Sequence, residues 1–176
     1  FWLIISRLGV HTSLTIYDLT AIRFGLSSLI VFPFILYFKT WRTISFVKSL
    51  AVAFSIGPIY ALLAFGGFMF SPAFHGGVFM NGFLPFIVVL LGFIFGQRIK
   101  LLQLVGIMFI LWGSTIILFE AQGFSQKNSW FGDVLFILAA FFLAVFMNLV
   151  KKWNLQYIQI LYCICLVNAV FYLPFW

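Results

Sequence analysis

Long apolar runs separated by short polar breaks set the pattern of this chain. A helix needs roughly 20 mostly apolar residues to cross the hydrocarbon core of a bilayer. Runs of that kind lie at about 19–38, 46–70, 74–95, 101–119, 130–150 and 157–176, after a shorter one at about 1–10. The pattern therefore predicts seven helical spans, the first and the last incomplete. In lipid, backbone N–H and C=O groups must be bonded within their own segment, so the predicted fold class is an all-α integral membrane protein, a polytopic helical bundle.

The breaks carry the orientation. Three alternate breaks hold Lys39, Arg42 and Lys48, then Arg98 and Lys100, then Lys151 and Lys152, which together are seven of the ten basic residues. The breaks between them, at 9–18, 71–72 and 120–133, hold the three acids Asp18, Glu120 and Asp133, with Lys127 as their one basic residue. Basic loops stay on the cytoplasmic side, so span one leaves the cytoplasm and the directions alternate from there. Trp2, Trp41, Trp130 and Trp153 near span ends read as interfacial anchors.

Composition narrows the class further. Hydrophobic residues make up 65% of the 176 and charged ones 7%, with a mean hydropathy of +1.20. Soluble domains carry about 25% charged residues, which excludes an ordinary soluble enzyme or secreted domain. The net charge of +7 is scattered singly rather than gathered on one polar face, so nucleic acid is not an expected partner. Cys163 and Cys165 lie two apart on a helix and suggest neither a disulfide nor a metal site. The chain starts and stops inside apolar stretches, which reads as a piece of a longer protein. No basic region stands ahead of residues 1–8 and no small-residue cleavage site follows close behind them, so no cleavable signal peptide is read there.

An internal repeat is faintly visible. A shift of 141 residues places Leu8 on Leu149, Leu14 on Leu155, and Phe32-Pro33-Phe34 on Leu173-Pro174-Phe175. The shift equals five helices, an odd number, so the second copy is inverted. The basic residues agree, since residues 9–16 carry none where the second copy has Lys151 and Lys152.

These features coincide with a family pattern. Ser6-Arg7-Leu8-Gly9, Tyr17-Asp18 and Ile22-Arg23-Phe24-Gly25, then Gly57-Pro58-Ile59-Tyr60-Ala61, then Ser71-Pro72-Ala73-Phe74-His75-Gly76-Gly77, are followed by Pro85, Gly96-Gln97-Arg98, Gln103-Leu104-Val105-Gly106, Gly113 and Gly132-Asp133. In order and spacing the chain resembles an EamA-type transporter of the drug/metabolite transporter superfamily over nearly its whole length. Gln97 stands where the family usually has Glu, which removes any salt bridge from that position to Arg98 or Lys100. The resemblance implies a ten-helix fold of two inverted five-helix repeats, the first at 1–119 and the start of the second at 120–176. It also implies a central cavity and metabolite movement, often outward, in the inner (plasma) membrane.

Polar groups inside a membrane span mark candidate sites. Arg7 and Arg23 either face the cavity and attract an anionic substrate, or snorkel, or are neutralised by charge pairing with Asp18. His75 is a substrate partner, a group that titrates during transport, or a hydrogen-bonded packing residue. Gly57 and Pro58 in span three, and Asn81, Gly82 and Pro85 in span four, predict kinks that free backbone carbonyls. Those kinks make spans three and four the expected cavity walls, with Tyr60 and Asn81 offering polar groups or simply packing. Gly106 and Gly113, seven apart on span five, read as a packing seam.

No catalytic residues, metal ligands or cofactor motifs are expected: HExxH, GxSxG and phosphate-loop patterns do not occur in the sequence. The expected function is secondary transport of small metabolites by alternating access, with the outward direction implied by the resemblance. The rival readings are a channel or a non-transporting membrane subunit, with a membrane-embedded enzyme behind both. The expected partners are a small-molecule substrate and the lipid bilayer. Half a carrier cannot alternate alone, so activity would require pairing, and a homodimer stays open.

Overall fold

The computed structural model describes residues 2–10, 14–120 and 129–176. Phe1 and Lys127, which fall within segments read above, lie outside them, as do the side chains of Trp2 and Glu120. The described residues form helices without strands: α1 (Trp2–Val10), α2 (Ile16–Phe38), α3 (Phe46–Ile56), α4 (Pro58–Phe70), α5 (Ala73–Ile94), α6 (Leu101–Glu120), α7 (Ser129–Trp153) and α8 (Tyr157–Phe175). Among the described residues five stretches are long and apolar enough to span a membrane, α3 and α4 counting together as Phe46–Phe70. α6 is the shorter apolar stretch Leu101–Ile117 by the same measure.

Local chemistry explains where these helices start and stop. The Thr15 hydroxyl accepts from the Asp18 N–H while the Asp18 carboxylate accepts from the Thr15 N–H, a reciprocal cap that opens α2. Lys39 closes it in the left-handed region, at φ 47°. Gly57 and Pro58 separate α3 from α4, because Pro58 has no N–H to give the carbonyl four residues back and sits instead at the first position of the next helix. Within α5, residues Gly76–Gly82 widen into π-helical turns before Leu84–Ile94 resumes the α form with Pro85 in its first turn. The kinks expected in spans three and four are thus a full break and a widened segment. A third irregularity, the π-helical Tyr162–Val167 inside α8, has no proline to announce it.

α7 is the central helix. Ala139, Ala140 and Ala144 are fully buried on it, beside Phe136, and they pack against Ile56, Tyr60, Ala64, Phe68, Met80 and Ile87 from α3, α4 and α5. Without a hydrophobic drive between helices in lipid, close packing of small residues supplies the association. The two ends of the bundle are tied as the alternating orientation requires. At one end Lys151 donates to the Gln97 side chain, and Gln159 donates to the Thr43 carbonyl. At the other, Tyr172 donates to the Tyr17 carbonyl and the Trp176 indole to Asp18. Among the described residues no neighbouring helix comes within 4 Å of a side chain added at Gly106 or Gly113, so the expected seam on α6 meets none of them. α6 packs chiefly on the π-helical segment of α5, through contacts such as Gly82 against Ser114.

Glycine sets one approach that matters below. A methyl group at Gly132 would lie 2.3 Å from the Ser71 hydroxyl and 2.8 Å from the Gly67 carbonyl oxygen. Gly132→Ala is therefore expected to destabilise the protein by about 1–3 kcal/mol, whereas Gly106→Ala stays within about 0.5 kcal/mol; thermal unfolding in detergent compares the two.

Candidate functional site

Three polar clusters join the first five spans to α7 and α8, each at its own depth. The outermost is built where α4 ends. Ser71 and Pro72 turn the chain, and α5 begins immediately, which buries His75 one turn into the span with only 1% of its side chain exposed. Its Nδ1 lies 2.6 Å from Oδ1 of Asp133, whose side chain is 15% exposed. Asp133 sits on the first turn and a half of α7, next to Gly132, and the missing side chain there lets α7 come close enough for this contact. The Ser71 hydroxyl lies 2.7 Å from the Ser129 carbonyl, to which it donates, and 3.2 Å from the same Asp133 oxygen. Phe74 and Phe79 flank the imidazole with ring centroids 4.6 and 5.7 Å away. His75 Nε2 is buried and has no hydrogen-bond partner among the described residues.

The middle cluster contains Arg23 and the helix break. The Arg23 guanidinium carbon lies 5.6 Å from the Tyr60 ring centroid and 5.8 Å from that of Phe24, a cation–π arrangement whose strength grows on desolvation. Tyr60 itself is buried in the main core. One turn earlier, Gly57 leaves room for the Asn168 amide of α8: a methyl group there would stand 2.5 Å from Asn168 Oδ1 and 2.4 Å from the Ala53 carbonyl oxygen. Asn168 Nδ2 donates to the Ile164 carbonyl. A cavity of about 550 Å³ opens beside this contact, lined by Ala51, Ala53, Phe54, Pro58, Asn168 and Phe171 among others. Its wall is apolar except at Asn168 and the backbone of the break, and its size falls in the range of small-molecule sites.

The innermost cluster is an amide relay. Gln97 Nε2 donates to Asn148 Oδ1 over 3.1 Å, and Asn148 Nδ2 donates to the carbonyls of Val88 and Ala144. Lys151 donates to the Gln97 carbonyl oxygen. Gln97 thus reaches across to α7 rather than to its neighbours Arg98 and Lys100.

The structure brings some of the candidate residues together and leaves others apart. Arg23 meets Tyr60. Pro58 lines the cavity, and Gly57 is buried beside it against Asn168. His75 stands in the outer cluster. Asn81 is exposed on the π-helical segment and Pro85 is partly exposed in the turn after it; this cavity is lined by residues other than these two, Arg23 and Tyr60. Arg7 is partly exposed on α1. Asp18 is also corrected, because its carboxylate is engaged by neutral donors, with Thr15 N–H and hydroxyl at 2.9 and 2.7 Å and the Trp176 indole at 2.9 Å, in place of the expected charge pairing.

Four contributors were missed by reading the sequence: Asp133, Asn148 and Asn168 as side chains that meet a partner, and Gln97 as the partner of Asn148. The signal existed for the two asparagines, since each stands alone in a long apolar run where an amide needs an internal partner. Asp133 looked like an interfacial acid because it follows a polar break.

Removing one member of a buried hydrogen-bonded pair leaves the other without its partner. His75→Phe is therefore expected to destabilise the protein by about 1–3 kcal/mol, while the double variant His75→Phe with Asp133→Leu recovers most of that loss, as read by thermal unfolding in detergent. Comparison of the chain with known protein families, with curated proteins and with solved structures gives no match, so the functional reading stands on this geometry.

Proposed function

We propose that the protein is a secondary transporter that moves small metabolites across the inner (plasma) membrane by alternating access, with its spans belonging to a ten-helix fold of two inverted EamA-type repeats. The observation that carries this reading is the broken span Phe46–Phe70: its interruption at Gly57 and Pro58 opens onto the cavity of about 550 Å³ and touches Asn168 on α8. Irregular backbone at membrane depth survives where it faces protein or a wet cavity, and carriers use such breaks at their binding sites. Two further supports come from packing. α2 lies against α8, the pair that the 141-residue shift equates, as helices related by an inverted repeat do when they meet at its axis. Cross-links near both ends of the bundle, by His75 to Asp133 and by Gln97 to Asn148, join the proposed repeats. An enzyme would need convergent reactive groups beside a substrate space, and the cavity wall offers one amide and apolar surface.

The test is counterflow. Full-length protein in proteoliposomes loaded with labelled amino acids, nucleosides, sugars and organic acids is expected to exchange one of these classes saturably. Ala51→Trp, which fills the cavity from its partly exposed wall, is expected to lower that exchange at least tenfold in protein that elutes as a folded species. Folded wild-type protein that exchanges no class would move the reading to a channel or a membrane subunit; Ala51→Trp with undiminished exchange would place the substrate elsewhere.

A further inference from the structure

We infer that His75 and Asp133 together form a proton-binding site that latches the outer ends of α5 and α7, and that in a carrier, as proposed above, this latch couples proton movement to transport. The inference starts from charge. With one proton on the pair, whether drawn on the imidazole or on the carboxyl, the site is neutral overall or an ion pair 2.6 Å long; with that proton gone, a neutral imidazole faces an anionic carboxylate that is 85% shielded from solvent. Burying a net charge is far less favourable than burying a compensated pair. The packed arrangement therefore favours the protonated pair, and removal of the proton favours separation of the two helices that hold it.

The surroundings leave this pair as the place where the proton acts. The elements packed against this segment of α5 bring Asp133 on α7, Arg7 on α1 and Tyr60 on α4; α7 also carries Lys151 and Lys152, about five turns away from Asp133, and α6 ends in Glu120, whose side chain lies outside the described residues. Of these, Asp133 bonds the ring. The Ser71 hydroxyl, which donates to the Ser129 carbonyl, lies 3.2 Å from the same carboxylate oxygen and adds no charge there. His75 Nε2, buried and unpartnered among the described residues, is the ring atom free to take or release the proton while Nδ1 keeps its bond to Asp133. The two groups share one short contact, so a proton held at either belongs to the pair. It also bridges the two proposed repeats, α5 lying in the first and α7 in the second, and it stands near the outer end of the bundle, where protons arrive from outside.

The chain contains two histidines, so in protein labelled with 15N-histidine the His11→Gln variant leaves the His75 resonance by itself. In lipid nanodiscs the 15N shift of that imidazole is expected to change with pH and to follow a different pH course in Asp133→Asn. The thermal midpoint of wild-type protein is expected to fall as pH rises over the range in which the shift changes and to lose that dependence in Asp133→Asn. A shift that ignores pH, a pH course indifferent to Asp133→Asn, or a thermal midpoint that ignores pH would overturn the latch. These readouts need no substrate, so they stand apart from the transport reading. Coupling is tested in proteoliposomes holding the labelled mixture used for counterflow: an imposed pH difference is expected to drive accumulation by wild-type protein and not by Asp133→Asn. Wild-type counterflow without pH-driven accumulation would refute coupling while leaving transport in place; absence of counterflow would refute transport while leaving the proton site to the nanodisc measurements.

Discussion

The close approach of α7 to the end of α4 is the constraint on which the outer half of the bundle depends. It is made by what is missing at Gly132, where even a methyl group would meet the Ser71 hydroxyl and the Gly67 carbonyl oxygen. The same helix carries the buried alanines of the main core further along its length. Small residues on one face thus bring α7 into the centre, and once it is there, Asp133 and Asn148 are carried to partners on α5 and beyond. Packing decides position, and position decides which polar groups can meet.

The polar groups in turn answer a problem that lipid creates. Asn148 has its carbonyl oxygen bonded by Gln97 and its amide group bonded to two backbone carbonyls, so a residue that would be costly in hydrocarbon becomes a fixed joint between α5 and α7. Asn168 is held by Ile164 and pressed against Gly57. Here the glycine and the following proline are complementary: one gives the amide room, the other removes an N–H and ends the helix there. The cavity is the space left beside that joint.

Much of the architecture was legible because helices in lipid follow length and apolarity. The seven predicted spans correspond to the described helices within a few residues, and the start of α2 was written in Thr15 and Asp18 as a reciprocal cap. The Pro58 break was legible for the same reason, since a missing N–H acts locally. What could not be read was which faces meet. Gly106 and Gly113 have the spacing of a seam yet meet no neighbouring helix among the described residues, while Gly67 and Gly132, 65 residues apart in sequence, form the approach that counts. Pro85 announced an irregular span, but not that the turns holding Asn81 widen into a π-helix. His75 and Asp133 were each visible as polar residues near span ends, but their contact spans 58 positions of chain, and no local pattern encodes it.

The two ends of the bundle are closed by different chemistry, and that difference has a mechanical meaning. The inner joint is made of amides and a lysine, donors and acceptors whose bonding does not hinge on a carboxylate or an imidazole. The outer joint is an imidazole against a carboxylate, whose net charge changes when one proton leaves. Alternating access requires that the two ends respond differently to the same event, because a device that loosened both at once would be a channel. In the carrier proposed above, loss of a proton at the outer joint would weaken one closure and leave the other as it was. Such asymmetry would need no coupling path through the core, since the halves would have only to pivot about the packed middle, where the alanine face of α7 holds Tyr60, Ala64 and Phe68.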